Sequence, residues 1–284
     1  MAATAKKRSA RKPKKTSAAS KKSTSPNKNN GATTEKLKKF NIFAGVSSIV
    51  FAVLSVVFMS KETIVANLPY ATKDAFASTD ATIFGPAYKT LCEVEIRYVL
   101  AFFFGLSAVF SLLLVTKLRK KYESQLANSS SVIRWIFSGI ALALILALSS
   151  KVAQVDSIVT LKTTGALVVL TAILWIISER QNKGTKGKLS IYYVSLATLF
   201  LAAMPLLVSL VSSGIYGMES FGWHVYALAF TTVFGLGALA FIQYKAIKKG
   251  VTAKGYLDLE GKYLSIDYLI KFSAFIILLS VFFE

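Results

Sequence analysis

Tyr263–Phe283 reads YLSIDYLIKFSAFIILLSVFF, 21 residues, enough for a helix to cross a bilayer. One amine, Lys271, stands near the middle of the run, and one acid, Asp267, precedes it by four residues. Positions i and i+4 share a helix face, and acid before base is the favourable order along the helix dipole. A charge at the bilayer midplane costs about 2.5–3.5 kcal/mol on insertion scales, so a lysine kept there points to a function. The rest of the chain reads as scaffolding for this pair.

Six more apolar runs precede it, near Phe40–Met59, Ile96–Thr116, Val132–Ser150, Ser157–Ile177, Leu189–Val211 and Phe221–Tyr244. With 54% hydrophobic residues in 284, this is the composition of an integral membrane protein with seven spans, an all-α bundle in a lipid bilayer. A single cysteine, Cys92, excludes an intrachain disulfide and a cysteine metal site. A single histidine, His224, leaves little room for imidazole catalysis or zinc binding, and no enzymatic chemistry is visible.

The net charge of +20 is unevenly spread. Thirteen lysines and arginines precede Phe40, and fourteen more fall in connections 2–3, 4–5 and 6–7 and their flanks, Arg134 included. The alternate connections hold only Lys61, Lys73, Lys89, Arg97 and Lys151, with Lys162 and Lys271 inside spans. The positive-inside rule then predicts a cytoplasmic N-terminus and an external C-terminus in the cell membrane.

Residues 1–34 have few large apolar side chains and no acid, so we expect a disordered basic cytoplasmic tail before a transmembrane domain over 35–284. The basic stretch is too long for a cleavable signal peptide. It reads as a solvated tail that fixes topology or, more sharply, as a polybasic arm on anionic lipid headgroups or an acidic cytoplasmic protein; nucleic acid is disfavoured, since no aromatics interleave the lysines for base stacking. The external connection over 60–95 is long enough to carry structure of its own, and a short strand pair or a cap lying over the bundle is expected.

Several smaller features read as structural. Lys183–Ser190, KGTKGKLS, has the wrong spacing for a phosphate loop. Gly235 and Gly237 would allow close helix approach, Pro205 would kink its span, and Lys162 lies near enough to a span end to snorkel. Lys271 is too deep for that. Charge and spacing alone leave two readings open, a structural ion pair with Asp267 or a desolvated lysine of lowered pKa suited to condensing with an aldehyde.

Beyond these patterns, the chain resembles the heliorhodopsins, the inverted-topology branch of the microbial rhodopsins. Span 1 opens FNIFAG, span 2 reads RYVLAFFFGLSAVFSLLL and runs into LRKKYESQL, and span 3 opens with Arg134-Trp135. Span 6 ends QYKAIKKG, and GYLDLEGKYLSIDYLIKF leads through Lys271, so the likeness covers nearly everything after residue 36. It implies all-trans retinal held on Lys271 as a protonated Schiff base, a homodimer, and light sensing without ion pumping.

The departures bear on the same site. The family pattern puts a counterion glutamate two residues beyond the Trp, where this chain has Phe137. The family's histidines in spans 1 and 2 fall at or near Ser48 and at Ser111. Where the family has a small polar residue one turn before the lysine, this chain has Asp267, which is therefore expected to replace the missing counterion, with Arg134 as a further partner. Met204 and Phe234 are expected to line the pocket from their depth in spans 5 and 6. A retinal-free scaffold, or a binder of another apolar ligand, is the alternative that the lost glutamate motivates. A transporter coupled through the pair is a third, but the spans show no internal repeat.

Overall fold

The structure, a computed structural model, describes residues 28–73, 84–182, 187–217, 221–249 and 253–283. Helix α1 (Lys28–Phe58) leads into an antiparallel hairpin of β1 (Thr63–Lys73) and β2 (Phe84–Glu95), then α2 (Ile96–Val115) and a short α3 (Arg119–Ala127). Helices α4 (Val132–Val152), α5 (Ile158–Gln181), α6 (Ser190–Tyr216), α7 (Trp223–Lys249) and α8 (Ala253–Phe282) complete the chain. All of these helices except α3 are long and apolar enough to cross a membrane. The chain is a seven-helix transmembrane bundle.

Two boundaries differ from the sequence reading. Helix α1 reaches back to Lys28, into the stretch expected to be tail, because a helix once nucleated by its apolar part extends through Asn and Thr at small penalty. The rest of that tail lies outside the described residues. Helix α8 starts at Ala253, ten residues before the apolar run begins, so its first turns are polar in sequence but helical in fact. Pro205 lies inside an otherwise continuous α6.

Consecutive spans alternate in direction, which gathers α3 and the described ends of the basic connections at one end, the basic end. At the opposite end the hairpin pairs from Thr63↔Glu95 to Lys73↔Phe84, with a register shift between Ala66 and Asn67. It is fastened down by Asn67 N donating to Asp156 O (3.2 Å), beside the turn where Lys151 pairs with Asp156, and Ser60 N donates to Phe282 O (2.7 Å). Of the strand pair or cap expected over 60–95, the strand pair is what the described residues form.

Small residues set the closest helix approaches, as expected where no water drives association. A Cβ on Gly45 would come within 2.9 Å of Leu112 on α2, one on Gly139 within 2.7 Å of Ala172 Cβ on α5, and one on Gly235 within 2.3 Å of Ile270 on α8. Gly237 meets nothing within 4 Å, so of the glycine pair in α7 only Gly235 serves this purpose. Hydroxyl pairs supply interhelical bonds: Ser149 with Thr232 (2.9 Å) and Thr171 with Thr198 (2.8 Å). Val53, Phe102, Val208, Phe230 and Lys162 are exposed on the outer surface.

Candidate functional site

Helix α8 carries the site because one of its stripes faces inward. Tyr256, Glu260, Tyr263, Ala274 and Leu278 are buried, and Asp267 and Lys271 fall on the same stripe by the 3.6-residue period. Lys271 Nζ donates to Asp267 Oδ2 at 2.6 Å, and the two side chains are only 12% and 13% exposed. The other carboxylate oxygen, Asp267 Oδ1, is buried without a hydrogen-bond partner among the described residues. The amine is therefore turned into the bundle, beside an acceptor with capacity to spare.

Aromatic rings flank this level. Phe275, one turn on from Lys271, stacks on Phe51 of α1 at 4.4 Å between centroids, and Phe104 of α2 meets both edge-on. On the other flank Ile270 fills the space left by Gly235. Ser107 on α2 is buried, and its hydroxyl has no partner among the described residues.

Two turns toward the basic end lies a buried ionic cluster that the sequence reading missed. Arg134 Nε donates to Glu260 Oε2 at 2.7 Å, and its Nη2 lies 3.5 Å from Glu179 Oε1. Glu260 Oε1 also accepts from the hydroxyls of Tyr122 (2.5 Å) and Ser131 (3.3 Å). Glu179 accepts from Trp135 Nε1 (2.7 Å), the Tyr256 hydroxyl (2.9 Å) and the backbone N–H of Ser131 (3.3 Å) at the start of α4, where the helix dipole favours an anion. The guanidinium lies over Trp135 (3.7 Å) and Tyr263 (4.2 Å). Two carboxylates thus share one guanidinium, and the surplus negative charge is met by neutral donors from α3, α4 and α8.

Tyr122, on α3 outside the spans, is held protonated here. Burial first, then the Glu260 charge, keeps its phenol well above the ordinary range, with Arg134 opposing.

The apolar runs that end at Ile177 and begin at Tyr263 leave Glu179 and Glu260 outside the spans. The spacing Tyr256, Glu260, Tyr263, Asp267, Lys271 was the available signal, since it places two acids, two phenols and the amine on one helical stripe.

The remaining expected site residues are dispersed. Arg134 is committed to Glu260 and Glu179 rather than to Asp267, because the guanidinium reaches the acids at its own level. Phe137 stacks on Phe110 of α2 (4.3 Å, nearly parallel), so its position carries an apolar contact between α2 and α4. Ser48 is buried and returns its hydroxyl to Ala44 O (2.7 Å), and Ser111 is half-buried on α2 near Gly45. Met204 is half-buried in α6. Phe234 is 66% exposed and stacks on Phe230 across one turn of α7, a lipid-facing pair; depth along a span does not tell which way a side chain faces.

The family model described as Heliorhodopsin matches residues 37–274. No curated protein matches the chain.

Proposed function

Because this chain belongs to the heliorhodopsin family, a family of rhodopsin-like membrane proteins, we propose that it is a retinal-binding, non-pumping light sensor with Lys271 as attachment residue and Asp267 as counterion. The observation that carries the reading is the inward-facing Lys271–Asp267 pair with its unpartnered Oδ1. A cationic chromophore on the lysine needs an anion within a few ångströms, since an isolated charge is strongly disfavoured in a buried site.

The ionic groups present fit the nitrogen end of such a group. Of the three carboxylates turned into the bundle among the described residues, Glu179 and Glu260 are engaged by Arg134, two tyrosines, Trp135 and Ser131. Among the described residues Asp267 bonds only Lys271 and keeps an oxygen free. With Phe137 in place of the family glutamate, it is the carboxylate positioned to face charge on that nitrogen. Retinal, when bound, supplies visible absorption and a light-driven change of shape. The protein's part is to hold the nitrogen's proton against Asp267, to exclude water with Phe51, Phe104 and Phe275, and to pass a change at Asp267 along α8 to Glu260 and Arg134.

The basic end would be cytoplasmic and the hairpin external, on the loop-charge argument, and the working unit a homodimer, as in the family. Adding all-trans retinal to the purified protein and recording a visible band tests the reading. The band should appear in the wild type and be missing in Lys271→Ala. A protein that never forms a band would be the retinal-free scaffold or apolar-ligand binder that the Phe137–Phe110 contact also suits.

A further inference from the structure

A groove of about 770 Å³ runs along the outer face of α8 at the basic end, between α1 and α7. Its floor is apolar, formed by Leu37, Phe40, Ile242, Leu257 and Ile266, with Gly261 in the middle. A Cβ on Gly261 would meet nothing closer than Leu37 at 3.7 Å, so this glycine keeps the floor low without being forced by packing. Lys36 and Lys262 stand on the rim, both exposed and in no ion pair among the described residues, whereas nearby Lys38 is tied to Glu35 at 3.6 Å. Asp258, also exposed, lines the same groove one turn before Lys262.

We infer that this groove binds one anionic phospholipid, its phosphodiester between Lys36 and Lys262 and an acyl chain along Phe40, Ile242 and Ile266. The level is right, because Phe40 opens the first apolar run and Ile242 lies two residues before the end of the sixth at Tyr244, which Lys245 follows. The groove therefore crosses from hydrocarbon to headgroups. The charge is right as well: two lysines and one aspartate leave a single positive charge, matching a lipid with one net negative charge rather than a polyphosphorylated one. The apolar floor selects a lipid over a free phosphate.

The test measures how much phosphatidylglycerol the detergent-purified full chain retains, by native mass spectrometry, with phosphatidylcholine and inorganic phosphate as comparison probes. Phosphatidylglycerol should be retained above phosphatidylcholine, and excess inorganic phosphate should not displace it. Retention should fall about five-fold for each of Lys36→Gln and Lys262→Gln, and rise in Asp258→Asn. All three positions are exposed, so the variants should keep their helical circular dichroism. Equal retention by wild type and the Lys36→Gln/Lys262→Gln double variant overturns the inference, as does displacement by inorganic phosphate.

Discussion

Glu260 and Asp267 sit on the same inward stripe of α8, seven residues and about 10 Å apart. Each is paired with one cation: Glu260 with Arg134 of a different helix, Asp267 with Lys271 of its own. The first pair is locked by further donors, and the second keeps an oxygen without a partner among the described residues. One helix thus carries a rigid ionic anchor and an unsaturated ion pair along a single face.

Replacing Asp267 by Asn should remove the anion facing the nitrogen on Lys271. In retinal-loaded protein the visible band should move, and the pH at which the chromophore loses its proton should fall. Asp267→Glu should restore most of both. A pH titration of the absorption spectrum checks this, and an Asn variant with the wild-type spectrum at every pH would end the counterion assignment.

Replacing Arg134 by Met should destabilise the bundle by about 3–5 kcal/mol, since it leaves two buried carboxylates without their cation. Adding Glu179→Gln and Glu260→Gln should recover much of that loss. Unfolding in detergent, followed by circular dichroism, separates the single variant from the triple one.

Gly139→Ala should cost about 1–3 kcal/mol, because the new methyl would lie 2.7 Å from Ala172 Cβ and neither carbon can rotate away. Ala172→Gly in the same chain should relieve it. Additive losses in the thermal midpoints would argue against the contact.

Stability should decline in alkali through Tyr122. Its folded-state pKa is raised by burial and by Glu260, so the folded form keeps its proton where the unfolded chain, with a pKa of about 10, releases it. The contribution is complete below about pH 10 and is lost as pH rises toward the folded-state value. Denaturation midpoints at pH 9 and pH 11 should converge in Tyr122→Phe relative to wild type.

Seven spans, their alternation and the placement of Lys271 followed from the sequence, because a bilayer imposes a length and a hydrophobicity that show in any single segment. The pairing of Asp267 with Lys271 was legible for the same reason: an i, i+4 contact is local to one helix. The cluster of Arg134, Glu179 and Glu260 was not, since its partners are 45 and 81 residues apart in the chain and two of them lie where apolar character has already faded. Only the packing of α4, α5 and α8 brings three such charges within hydrogen-bonding distance, and burial is what makes the arrangement necessary. The direction each side chain faces was likewise decided by tertiary structure. Phe234 lies deep along its span yet faces lipid, whereas Phe275 lies deep and faces inward, because rotation about a helix axis is set by the neighbours it packs against.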